Sequence, residues 1–119
     1  MNNRHRQKLK AMYGPLIRMK DLYSLDIAIA KYAAQGLEKF YNYGLKGKWF
    51  GIPQDYMAEY NDDEKEALEA WLADIKKMQK AFENYVYFFY NIEACDKQKF
   101  KEIKDGMQLF IDHFENLWI

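Results

Sequence analysis

One run of spacing constrains this chain more than any other feature. Leu68, Trp71, Ile75, Met78, Phe82, Tyr85 and Phe89 follow one another in steps of three or four. Such steps place every one of these side chains on the same face of an α-helix and cannot serve a β-strand, whose faces alternate every residue. The run continues for three heptads, which calls for at least one partner helix to cover it. Asn61 stands ahead of it with Glu64 three residues on, the arrangement of a capping box. Asp62, Asp63 and Glu64 suit the positive end of the helix dipole. At 1.5 Å per residue, a helix over 62–90 reaches on the order of 40 Å.

Two further segments carry the same period. Leu22, Leu25, Ile29, Tyr32, Gly36 and Phe40 predict a helix over about 22–43, capped by Asp21 or Ser24 and ending near Gly44. That stripe is expected to face inward, and Gly36 on it to mark a close crossing by another helix. Phe100, Ile103, Met107, Phe110, Phe114 and Leu117 predict a third helix over about 96–118, capped by Asp96, with Gly106 as a second close contact. No segment alternates with period two for long enough to be a strand. The expected fold is all-α, an antiparallel bundle of three main helices.

Between the first two helices, residues 44–61 break the period. Gly44, Gly47, Gly51 and Pro53 mark a loop, made unusually apolar by Trp49, Phe50 and Ile52. A short helical turn over Gln54–Tyr60 can start at Pro53. Residues 1–20 hold Arg4, Arg6, Lys8, Lys10, Arg18 and Lys20 and no acid, whereas 54–80 hold eight acids against four lysines. The basic arm either lies solvated or docks on the acidic region, or it meets a phosphate-rich partner. Gly14-Pro15 separates it from a single helical domain expected over 21–119.

Eighteen basic and eighteen acidic residues cancel over the 119 residues, which argues against a general nucleic-acid coat. No nucleic-acid partner is expected beyond the basic arm. The lone Cys95 cannot form an internal disulfide and is expected to pack as a small hydrophobe. Neither a secretory leader nor a run of ~18 apolar residues is visible, so no membrane partner is expected.

The inventory of reactive groups is thin. There is one serine, Ser24, and no threonine. His5 and His113 lack the spacing of a di-iron or zinc helix, and His113 beside Asp112 is expected at the surface. The glycines match neither a P-loop nor a dinucleotide fingerprint. No catalytic residue, metal or cofactor is expected, and the chain reads as a non-enzyme. One segment does suit a ligand. Lys46 and Lys48 could meet phosphates, and Trp49 and Phe50 could stack on a base, with Tyr43 and Tyr56 flanking the loop. Equally, Trp49, Phe50 and Ile52 could plug the end of the bundle. The wide apolar face over Tyr85–Tyr90 could likewise be covered by the N-terminal region or serve self-association into an oligomer.

The order of landmarks adds a resemblance. Tyr23-Ser24-Leu25-Asp26, Ile29-Ala30-Lys31-Tyr32 and Leu37 with Phe40 come first. Gly51 with Pro53, Trp71, Lys77-Met78 and Ala81-Phe82-Glu83 follow, and then Gly106, Leu109-Phe110, Phe114 and Leu117-Trp118. Together, over about residues 22–118, they resemble a family of small phage-encoded α-helical accessory proteins. The chain departs from that pattern at Ala33-Ala34-Gln35-Gly36, where the family has a proline, at Ala70, where it has an acid, and at Ile119. The resemblance implies a protein made in the host bacterial cytoplasm and gives no catalytic residues to carry over. The function expected is counter-defence by binding. Its partner would be a nucleotide immune signal that it sequesters, or a host defence or replication protein that it inhibits. In the second case Tyr87–Tyr90 and the acidic stretch Asp62–Glu69 would share the interface. An oligomeric accessory protein is the third reading.

Overall fold

The computed structural model describes residues 2–13, 18–46 and 51–118. Five α-helices occur among them: α1 (Asn3–Tyr13), α2 (Leu25–Leu45), α3 (Gln54–Glu59), α4 (Glu64–Tyr90) and α5 (Lys97–Asp112). Turns of 3-10 helix precede α2 at Met19–Ser24 and α5 at Ile92–Ala94, and one follows α5 at Phe114–Asn116. The all-α expectation holds, and no strand occurs among the described residues. Two expected helices are shorter than their apolar runs, because 3-10 turns take over Met19–Ser24 and Phe114–Asn116.

Helix α4 is the centre. Trp71, Ile75 and Met78 on its predicted stripe are completely buried, with Ala67 and Phe82 beside them. Helices α2 and α5 each pack along α4 and barely meet one another. Both run antiparallel to it. Asp26 at the start of α2 meets Tyr85 near the end of α4, and Tyr41 near the end of α2 lies under Lys76 at 4.2 Å. Likewise His113, just past α5, meets Trp71 near the start of α4.

Gly106 fulfils its expected role. A Cβ there would stand 2.7 Å from the Lys77 carbonyl oxygen and closer still to Ala81 Cβ, so only glycine lets α5 approach α4 this closely. Gly36 does not. It is exposed, and a Cβ there would meet nothing within 4 Å. The reason is that α2 is turned away from its expected orientation. Ile27, Ala30, Leu37 and Gly44 are buried, whereas Leu22, Leu25, Ile29, Tyr32 and Gly36 face out. The inner side joins the small Ala30, Ala33 and Ala34 to the larger Leu37, Phe40 and Tyr41, all packed in or against the core.

The caps also differ in part. Asp96 accepts from the Lys99 N–H as expected, at 2.8 Å. The cap of α4 is Asp63, which accepts from the Glu66 N–H at 3.1 Å, and not Asn61. Asn61 and Asp62 instead take positive φ, 55° and 63°, in the turn that reverses the chain between α3 and α4. Ser24 stands at the head of α2 with no side-chain capping bond. Cys95 is half-buried, its Sγ 3.7 Å from the Asp96 carbonyl, so it is not the buried hydrophobe expected. The basic arm forms α1, whose described side chains are exposed apart from half-buried Leu9.

Candidate functional site

An enclosed group of polar and aromatic side chains lies where α3 meets the first half of α4. Pro53, with φ −57°, opens α3 and sets Tyr56 one turn in. Tyr56 is only 6% exposed. Its hydroxyl donates to the Asp74 carboxylate, and His113 Nε2 lies 3.5 Å from the same oxygen. The rings of Tyr56, Trp71 and His113 touch in a triangle, with centroids 5.2, 5.2 and 5.4 Å apart. Asp55 reaches the edge of this group, 4.0 Å from His113 Nε2.

Burial, reinforced by the bond to Asp74, pushes the Tyr56 phenol well above its ordinary value. It therefore holds its proton more tightly than a free phenol and serves as a donor to Asp74. Trp71 Nε1 is buried with no hydrogen-bond partner. The group joins three elements through polar contacts that water cannot easily reach, which suits a structural lock. His113 was expected at the surface, yet its side chain is 13% exposed. The spacing Gly106, Phe110, His113 continues the inner face of α5 into the residue that follows it, and is the signal in the sequence that points His113 inward.

The ligand loop fares differently. Lys48, Trp49 and Phe50 lie outside the described residues. Tyr43 is half-buried on the last turn of α2, and Lys46 is exposed just beyond it, its N–H bonded to the Asn42 and Gly44 carbonyls. Lys46 thus sits at the negative end of a helix dipole, which offers no help to a phosphate. Tyr56 faces the interior, and no hydrogen bond among the described residues joins it to Tyr43 or Lys46. Ile52 packs against the core, in keeping with a loop anchored by its apolar residues.

A groove of about 660 Å³ runs between α4 and α5. Lys76, Lys77 and Lys80 face Glu102, Asp105 and Asp112 across it, so it favours neither charge. No group of three metal-ligating side chains occurs among the described residues. Nor is any helix there long and apolar enough to cross a membrane.

The end of α4 carries exposed apolar side chains. At the end of α4, Phe88 turns inward while Tyr87, Phe89, Tyr90 and, just beyond, Ile92 stay exposed. Tyr90 is 64% exposed. Phe89 and Tyr90 meet edge to face at 5.0 Å, a preformed aromatic pair. The acidic stretch Asp62–Glu69 lies at the opposite end of the 27-residue α4. The two are on the order of 40 Å apart and cannot form one compact interface as expected. No family model, curated protein or solved structure matches this chain.

Proposed function

We propose that this chain is a non-enzymatic counter-defence protein, encoded by a phage and working in the host bacterial cytoplasm, that docks on a host defence or replication protein. The exposed Phe89–Tyr90 pair carries this reading, with Tyr87 and Ile92 also exposed close by along the chain. Tyrosines and other aromatics dominate binding energy at protein interfaces, and an exposed group of them is costly to leave in water without a use. Docking is favoured over nucleotide sequestration by two observations. Tyr56 is committed to the interior, and Lys46 stands at a helix C-terminus.

The test compares the tagged wild-type chain with a Tyr87→Ser/Tyr90→Ser variant in pull-downs from infected cells. Native mass spectrometry with cyclic and ADP-ribose-type nucleotides runs alongside. A stoichiometric host protein held by the wild type and lost by the variant, with helicity unchanged, supports docking. A stoichiometric nucleotide adduct, with protein capture absent or indifferent to the variant, replaces docking by sequestration.

A further inference from the structure

The fold makes no use of the charges on α1. Among the described residues no acid pairs with Arg4, Arg6, Lys8 or Lys10, whereas Arg18, Lys77, Lys80, Lys99 and Lys101 each meet an acid three or four residues away. All eighteen acids of the chain lie at Asp21 or beyond. Helix α1 packs along none of the other helices. Its start is held by Asn2, whose side chain accepts from the His5 N–H at 2.8 Å. The cations work against the helix they stand on. Arg4 and Arg6 occupy the first turn, at the positive end of the dipole, and Arg4 with Lys8, like Arg6 with Lys10, sets like charges four residues apart. These charges neither build α1 nor fasten it to the bundle, and a bound polyanion removes both penalties.

At about 3.6 residues per turn, the side chains of α1 fall into rows four residues apart. Asn3, Gln7 and Ala11 form the middle row. Arg4 and Lys8 flank it on one side and Arg6 and Lys10 on the other, each pair centred about 80° from the Gln7 direction. All of these side chains are exposed, and half-buried Leu9 lies on the opposite side of the helix. The outward face of α1 is therefore two cationic rails with amides between them. We propose that this face binds in the major groove of a DNA duplex. That groove is about 12 Å wide and admits one α-helix. A helix with its side chains is about 10–12 Å across, so rails on both flanks reach the phosphates of both strands. The amides of Asn3 and Gln7 then face the base edges, whose donors and acceptors they match. Duplex RNA fits less well, because its major groove is deep and narrow. An anionic membrane also fits less well. A helix lying on one needs a broad apolar side, and the described side chains opposite the rails are His5, Leu9 and Met12. This surface lies on α1 alone and stands apart from the docking face on α4.

The experiment titrates the full chain into a labelled, mixed-sequence DNA duplex of about 20 base pairs and reads fluorescence anisotropy at about 50 and about 200 mM salt. The expected Kd is about 1–100 µM near physiological salt. Four phosphate contacts make binding weaken by roughly a hundredfold between the two salt concentrations. Arg4→Gln/Lys8→Gln and Arg6→Gln/Lys10→Gln should each bind more weakly and each cut that salt effect to roughly tenfold, because each removes one rail. Glutamine is as good a helix former as the residues it replaces, and the sites are exposed, so circular dichroism should not change. Asn3→Ala/Gln7→Ala should weaken binding while keeping the full salt effect. No binding at about 100 µM protein in the lower salt overturns the proposal. So does a rail variant that keeps the full salt effect. Duplex RNA of the same sequence, phosphatidylglycerol vesicles or polyglutamate bound as tightly as the DNA overturns it as well, and hands α1 to that partner instead.

Discussion

Tyr85 near the end of α4 donates its hydroxyl hydrogen to the Asp26 carboxylate on α2, and so repeats the bond that Tyr56 of α3 makes to Asp74 in the first half of α4. Each bond crosses between two helices and holds a phenol against an aspartate. The Tyr56 bond is enclosed by Trp71 and His113, whereas the Tyr85 bond is open to water. The pair fixes the register of α3 and α2 on their common neighbour at two distant points.

Removing the enclosed bond should be the costlier loss. Tyr56→Phe is expected to destabilise the chain by about 2 kcal/mol, as for a buried bond to a charged acceptor. Urea unfolding monitored by circular dichroism measures it, and Tyr85→Phe should cost clearly less.

The same two phenols set an alkaline limit. The bond to Asp26 raises Tyr85, and burial first, then Asp74, raises Tyr56, so both bind their protons more tightly folded than unfolded. Their contribution is complete below about pH 10, the ordinary tyrosine value, and falls as pH rises beyond it. Stability of the wild type should therefore drop more steeply above that pH than stability of Tyr56→Phe. Parallel curves would contradict the assignment.

The glycines separate cleanly. Gly106→Ala is expected to cost ~1–3 kcal/mol, since its methyl group meets the Lys77 carbonyl and Ala81. Gly36→Ala, with nothing near it, should instead raise helix stability by ~0.5–1 kcal/mol. Thermal unfolding of dilute protein checks both signs.

At the head of α4, Asp63→Ala should cost about 1 kcal/mol through loss of the bond from the Glu66 N–H. Asp62→Gly should stabilise by a few tenths of that, because residue 62 already holds a left-handed backbone. Chemical unfolding of the two variants measures opposite shifts in midpoint.

Exposure gives a last contrast. Trp71→Ala is expected to lose ~3–5 kcal/mol. Tyr90→Ala, at the exposed end of the same helix, should stay within about 0.5 kcal/mol of the wild type. A large loss at Tyr90 would mean that the aromatic cluster serves the fold rather than a partner.

Periodicity carried the architecture because α4 is buried along most of its length, and its stripe has only one arrangement that excludes water. The same reasoning failed on α2 for a physical reason. That helix has apolar residues on two sides, and helical spacing alone cannot say which side is turned inward. The side that carries Ala30 and Leu37, with Ala33, Ala34, Phe40 and Tyr41 beside them, is the one that packs on the core. The polar cluster was legible only in part. Tyr56 drew attention as an aromatic near a loop, but its pairing with Asp74 and His113 spans 18 and 57 residues, and no local signal encodes such distances. The capping aspartate was off by two because Asn61 and Asp62 adopt left-handed turns that residue type alone permits but does not require.

The placement of α4 between two helices that hardly touch each other has a consequence for synthesis. Leu45 ends α2, and Tyr90 ends the helix that covers it. At roughly 5–20 residues per second, α2 leaves the ribosome several seconds before its docking surface is complete. During that interval both of its apolar sides are open. Until α4 is complete, a nascent chain therefore shows water side chains that the folded protein keeps covered, Ile27 and Leu37 among them.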